Sequence, residues 1–241
     1  MEWLDNRQIS ARQPLWEALQ GGLGYRFRNG WLLASAMCHS SFANEHPDLQ
    51  LGHNERLEFL GDAVLDLVVS EQLLRDFGEF REGELTRLRA EVVAEASLAD
   101  LARQLGIGDC LLLGRGERQS GGQHKASVLA DALEALFGAM FQDAGFDRTA
   151  DVIAPLFTPR LRQAAARSGQ DCKTRLQELL QARFKSLPVY RLLDAAGPDH
   201  CRHFRVDVLI ADRVLGSGTG PSKKRAEQEA ARAALARLAD D

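Results

Sequence analysis

Apolar residues recur every three or four positions along three long stretches of the chain. These are "NERLEFLGDAVLDLVVSEQLLRDF" (54–77), "LTRLRAEVVAEASLADLARQLG" (85–106) and "SVLADALEALFGAMFQDAG" (127–145). Each closes on Gly or a polar break, and the spacing predicts amphipathic helices that pack into a bundle. The rhythm changes near residue 172. "CKTRLQELLQARF" predicts a short helix, "PVYRLLD", "HFRVDVLIA" and "RVLGSG" three strands, and "SKKRAEQEAARAALARLA" a closing helix. In the middle strand Phe204, Val206, Val208 and Ile210 alternate with Arg205, Asp207 and Leu209, a pattern suited to a sheet with one covered face. Between the two regions "AAARSGQD" is small, polar and glycine-containing. The expected organisation is an all-α domain over 1–163, a flexible linker over 164–171 and a small α+β module, ordered α-β-β-β-α, over 172–241.

Charge sharpens this division. The net charge is −4, yet residues 1–169 carry 17 Lys+Arg against 24 Asp+Glu while residues 170–241 carry 13 against 10. An acidic body bears a basic tail. Cys38, Cys110, Cys172 and Cys201 are far apart and form no CxxC pair, so neither a disulfide framework nor a zinc ribbon is suggested. No 18-residue apolar run occurs, and "MEWLDNRQIS" lacks the basic-then-apolar order of a secretory signal. The expectation is a cytoplasmic protein without a membrane partner.

The first helix carries more acid than a packed helix needs. At about 100° per residue, with Glu55 at zero, Glu58 falls near ~300° and Asp62 near ~340°, while Leu57, Leu60, Val64, Leu67 and Val68 take the other side. Like charges at these spacings repel by a few tenths of a kcal/mol per pair in water, and by more against protein. Asp131 and Glu134 form a second acidic pair, on a helix whose Leu133, Leu136, Phe137 and Met140 supply core. Neither edge has a Lys or Arg three or four residues away. Four carboxylates from two facing helices would make an oxygen-only site for a hard divalent cation such as Mg2+. Two solvated helix faces would read the same way, and spacing alone leaves both open.

"HNERLEFLGDAVL" resembles the signature of the ribonuclease III family. "LLASAMCHSSFAN", "REGELTRLRA" and "LGRGERQSGGQHKASVLADALEALFGA" resemble its other landmarks, in the same order. The resemblance runs from about residue 12 to the end. It implies that Glu58, Asp62, Asp131 and Glu134 are the metal-binding carboxylates, with Asp62 and Glu134 required for chemistry. It also places Glu55 and Glu82 in the wider cleavage centre. The implied activity is Mg2+-dependent endonucleolytic hydrolysis of double-stranded RNA, with Mn2+ as a substitute and no organic cofactor. Such an enzyme leaves 5′-phosphate and 3′-hydroxyl ends and processes ribosomal RNA precursors and other structured transcripts. A catalytically silent RNA-binding relative is the alternative, and loss of one of the four carboxylates would be its sequence mark. Departures from the family pattern, such as Cys38 where Thr is commoner and few Arg in "GQHKAS", spare those four positions.

Phe59 falls near ~40° on the same wheel, among the acids, an odd place for a large apolar ring. In ribonuclease III the matching Phe packs into a partner subunit, so the resemblance implies a homodimer with Phe59 as a contact. In the tail, Lys223, Lys224 and Arg225 crowd a helix N-terminus whose dipole disfavours cations by roughly 0.3–1 kcal/mol each. A phosphate would reverse that sign, and Gly216, Gly218 and Gly220 are read as letting the preceding loop approach it. "TRLQELL", "GPDH" and "GPSKKRAEQEAA" resemble the double-stranded-RNA-binding domain. That match implies Gln177, Glu178 and His200 at the minor groove and Lys223 and Lys224 on phosphates.

Overall fold

In the computed structural model, residues 7–196 and 203–239 are described, with 8, 168–171, 196 and 239 described by backbone alone. The chain divides into two compact units, Met1–Leu161 and Arg162–Asp241. The helices are α1 (Arg7–Ser10), α2 (Gln13–Leu23), α3 (Gly30–Ala36), α4 (Ser40–Glu45), α5 (Glu55–Asp76), α6 (Glu82–Val92), α7 (Glu95–Gln104), α8 (Ile107–Cys110), α9 (Arg115–Gln119) and α10 (Ala126–Phe184). The strands β1 (Val189–Ala196), β2 (His203–Ile210) and β3 (Arg213–Gly220) follow, and α11 (Lys223–Ala239) closes the chain.

Both acid-bearing segments are helices, as their periodicity predicts. The second is interrupted where its pattern ends, at Gly145, whose φ of 78° only glycine adopts without strain. The stretch 85–106 becomes two helices instead of one: Ala94 takes an extended ψ of 145°, which lets Leu88 and Val92 on α6 and Leu98, Leu101 and Ala102 on α7 be buried separately. Segment 164–171 has helical backbone within α10, in keeping with the helix preference of Ala164, Ala165 and Ala166.

The core of the first unit forms around α5 and the opening of α10. Leu57, Val64, Leu65, Val68, Val69 and Leu73 are buried from one, and Leu133, Leu136, Phe137 and Met140 from the other. What sets the distance between these helices is glycine. A Cβ on Gly61 would fall inside contact distance of the Glu134 carbonyl oxygen, and one on Gly138 would meet the Leu57 carbonyl oxygen. The two backbones therefore touch at a reciprocal glycine pair, where any larger residue would force them apart. One expected core residue is misplaced by the helical wheel: Leu67 is 56% exposed, together with Phe59 at 82% and Leu74 at 66%. Spacings of eight and seven residues put the three on one helical face.

The second unit is a three-stranded antiparallel sheet in the order β1-β2-β3, covered by α11 and the end of α10. Val206 and Val208 are fully buried, as their alternation predicts, but so is Leu209, which the pattern assigns to the open face. A register shift between Val208 and Leu209 turns it inward, as a bulge does. The glycines of β3 also have a different role from the one read in the sequence. A Cβ on Gly216 would stand 2.5 Å from Ala234 N and 2.6 Å from Ala230 O, and one on Gly218 would run into the Ala226 and Ala230 backbone. These residues let α11, through its buried Ala226, Ala230 and Ala234, lie directly on the strand; they are not free to admit a ligand.

Gly61→Ala should lower unfolding stability by at least about 1–3 kcal/mol, the usual range for overpacking. Gly116→Ala, with open space around it, should be near neutral. Urea unfolding followed by circular dichroism reads both, and equal midpoints would contradict the backbone contact.

Candidate active site

Local contacts fix the entrances of the acid-bearing helices. The Cys38 carbonyl accepts the Asn54 N–H at 2.9 Å, immediately before α5. The same residue bridges Leu112, on the segment that leads to α9 and α10. His39 caps α4 by accepting the Ser41 N–H at 3.2 Å, while the Ser41 hydroxyl oxygen accepts the Gly114 N–H at 3.0 Å. Glu45 then takes the Arg115 N–H on both carboxylate oxygens, at 2.9 and 3.2 Å. Lys125, just ahead of α10, pairs with Glu117 at 2.7 Å.

With those entrances fixed and the glycine contact between them, three carboxylates converge. One oxygen each from Glu58, Asp131 and Glu134 lies within 4.8 Å of the others, and all three side chains are half-buried. Partial removal from water and mutual repulsion both disfavour ionisation. Glu134 is raised to about 8, first by burial and then by Asp62, Asp131 and Glu58. Glu58 is raised by burial and then by Asp131, Glu55 and Asp62. For Asp131 burial comes first and Glu95 next, with His39 opposing.

The remaining sequence-derived residues surround this group at different ranges. Asp62 is exposed and stands outside the three, but of the charged neighbours it raises Glu134 most. Glu55, also exposed, acts on Glu58 and Asp131, and its Oε2 lies 3.7 Å from His53 Nδ1. Glu82 sits at the start of α6, accepts the Thr86 hydroxyl at 2.8 Å and stands apart from the cluster. Glu95 at the start of α7 and His39, the cap of α4, carry no sequence signal as site residues, because they come from other elements and no spacing rule links them to Asp131. Arg89 was missed for the same reason. It reaches from α6 to Asp66, 3.9 Å away, at the outer end of the acidic edge.

In the second unit Lys223 and Lys224 are exposed in the first turn of α11. The Ser222 hydroxyl oxygen accepts the Arg225 N–H at 3.2 Å. Gln177 and Glu178 are exposed on a helical stretch whose Leu176 and Leu180 enter the core. His200 lies outside the described residues. Phe59 projects from α5 beside Glu58.

Residues 29–161 match the family described as Ribonuclease-III-like, and residues 172–238 match the Double-stranded RNA binding motif. The chain is 50% identical over 218 residues to Ribonuclease 3 of Syntrophotalea carbinolica, covering 90% of this chain and 94% of that one. It is 44% identical over 239 residues to Ribonuclease 3 of Geobacter sulfurreducens, covering 99% and 96%. Among solved structures, the nuclease domain of ribonuclease III from Campylobacter jejuni matches with 43% identity and a TM-score of 0.56. That match covers 60% of this chain and 96% of that one, and the Campylobacter structure is described as flexible in a region involved in dimer formation.

Glu134 retains its proton to about pH 8 in the folded protein and loses it near the ordinary value of 4.5 when unfolded. Between these values the folded state holds more protons, so this group's contribution to stability falls as pH rises through the window. In metal-free protein, Glu134→Gln should melt at the wild-type temperature near pH 5 and a few degrees above it near pH 8.5. Parallel melting curves across that range would contradict the raised value.

Proposed function

The chain belongs to the ribonuclease III family, and we propose that its half-buried carboxylate cluster is the metal-dependent centre of a double-stranded-RNA endonuclease. The observation that carries this reading is the convergence of Glu58, Asp131 and Glu134, with Asp62 acting on Glu134 from the rim. Oxygen-only donors, three of them with pKa values raised by burial and then by neighbouring acids, suit a hard divalent cation, Mg2+ first and Mn2+ as substitute. No organic cofactor is invoked. Glu58, Asp62, Asp131 and Glu134 would hold the cation.

Bound there, Mg2+ would lower the pKa of a coordinated water and neutralise charge developing on the phosphate. The protein's own contribution is to keep the carboxylates at a separation they would not choose alone. Glu134 must give up its proton when the cation binds, which makes occupancy depend on pH. Asp62 and Glu134 are the residues assigned as required for hydrolysis, and Glu55 and Glu82 belong to the wider cleavage centre. Water attacks phosphorus and the 3′ oxygen leaves, giving 5′-phosphate and 3′-hydroxyl ends. All four metal-binding carboxylates are present, which removes the sequence basis for a silent RNA-binding relative.

The second unit supplies what an acidic nuclease domain lacks. Lys223 and Lys224 stand exposed where the dipole of a 17-residue helix already attracts phosphate. With Gln177, Glu178 and His200 at the minor groove, they would read A-form shape over about 16 base pairs more than sequence. Ribosomal RNA precursors and other structured transcripts, met in the cytoplasm, fit that preference. Among the described residues, no helix is long and apolar enough to cross a membrane.

The exposed face of Phe59, Leu67 and Leu74 supports a homodimer. A cavity of about 360 Å³ lined by Leu73, Leu74, Phe80 and Leu85 opens beside it and can take an apolar side chain. Phe59→Asp should shift the protein from dimer to monomer in light scattering at assay concentration, and an unchanged dimer would remove Phe59 from the interface.

For the activity itself, a long perfect RNA duplex should be cut by wild type with Mg2+ and left intact in EDTA. Glu134→Gln should lose cutting by at least about a hundredfold while still shifting the duplex on a native gel. Cutting by Glu134→Gln at the wild-type rate would overturn the assignment.

A further inference from the structure

A second concave site lies elsewhere in the first unit. A cavity of about 250 Å³ is bordered by Arg12 at the start of α2 and by Arg118 in α9. Arg12 is held by its Nε–H, which donates to the Leu111 carbonyl at 3.2 Å. Among the described residues no hydrogen bond or ion pair engages its Nη atoms, and none engages the Arg118 side chain. Each guanidinium is a cation with an unused fork of donors. Their proximity is costly: Arg12 is lowered from its ordinary value first by burial and then by Arg118.

The remaining walls are of two kinds. Leu15, 36% exposed, gives an apolar surface, with the edges of the otherwise buried Leu111 and Leu113 behind it. Gln123 gives an amide whose Oε1 is withdrawn from water and has no hydrogen-bond partner. Gln123 is fixed in place because its backbone passes Gly108 so closely that a Cβ there would stand 2.5 Å from the Gln123 carbonyl oxygen. Asp109 at the same border offsets part of the charge and offers an acceptor.

We propose that this cavity is a nucleotide site, taking a 5′-phosphate on the paired guanidiniums of Arg12 and Arg118 and a nucleobase against Leu15, Leu111 and Leu113, with Gln123 as an edge contact. Two forks on one phosphate are the strongest of the available pairings and relieve the repulsion between the arginines. An exocyclic amine would satisfy the buried Gln123 oxygen, and Asp109 could accept from ribose hydroxyls. The occupant is either a free nucleoside monophosphate or the phosphorylated end nucleotide of an RNA strand, which share this chemistry.

The test uses the full chain in EDTA, so that binding is independent of the carboxylate cluster and of cleavage. Calorimetric titration with AMP and GMP should show saturable binding, with adenosine, guanosine and inorganic phosphate each at least tenfold weaker. Arg118→Gln changes only an exposed side chain, so it should keep the wild-type circular dichroism spectrum and weaken nucleotide binding at least tenfold. Arg103→Gln, which removes an exposed cation of the same unit outside this cavity, should leave that binding unchanged. Competition then separates the two sources: a 5′-phosphorylated short duplex that displaces GMP, where its 5′-hydroxyl counterpart does not, assigns the site to RNA ends. Displacement by neither assigns it to the free nucleotide. Absence of binding at millimolar nucleotide, undiminished binding by Arg118→Gln, or an equal loss in Arg103→Gln would overturn the proposal.

Discussion

Helices α5 and α10 meet backbone to backbone, with Gly61 against the Glu134 carbonyl and Gly138 against that of Leu57. A helix interior gives up roughly 0.5–1 kcal/mol by carrying glycine instead of alanine, and here two helices do so at the same crossing. In return the axes come close enough that Glu58, one turn before Gly61, meets Asp131 and Glu134, which lie two turns and one turn before Gly138. A Cβ at either glycine would push the helices apart, and the carboxylates would separate with them. The buried leucines and valines of both helices hold them together; the glycines decide how near they can come.

That nearness creates an electrostatic problem which organises the surroundings. Half-buried acids repel, and the result is the strongly raised Glu134. Compensation stays at the margins: Arg89 reaches Asp66 at the far end of the edge, and His39 opposes the rise of Asp131. Neither neutralises the centre, which leaves it to hold a proton or a cation. The tail uses the same small-residue device for a different end. Gly216 and Gly218 admit Ala230 and Ala234 against the strand, so α11 lies flat on the sheet and its Lys223 and Lys224 project from a fixed helix start.

Much of this was legible from residue order, and the exceptions have physical causes. Periodicity located α5, the opening of α10 and α11 because each has one wet and one dry face. It placed four acids on two helical edges, but a helical wheel knows nothing of its neighbours. The meeting of the edges, the approach of Glu95 to Asp131 and that of Arg89 to Asp66 all depend on tertiary packing. Gly61 and Gly138 were the available signal, since each sits unexplained inside a helical pattern. Leu67 falls with the core residues on a helical wheel because apolar residues usually go there; the structure leaves it exposed on one face with Phe59 and Leu74. Leu209 changed faces through a bulge that strict alternation cannot anticipate, and the glycines of β3 served packing where a loop had been read. That Asp62 belongs with the three clustered acids is implied by the resemblance and not by spacing.

The most direct test of this account is to locate the cation itself. Crystals grown with Mn2+ and measured for anomalous scattering should show a peak bounded by carboxylate oxygens of Glu58, Asp131 and Glu134, with Asp62 at its open side. Its absence from that position in crystals that bind Mn2+ elsewhere would contradict the claim that the glycine crossing exists to build a metal centre.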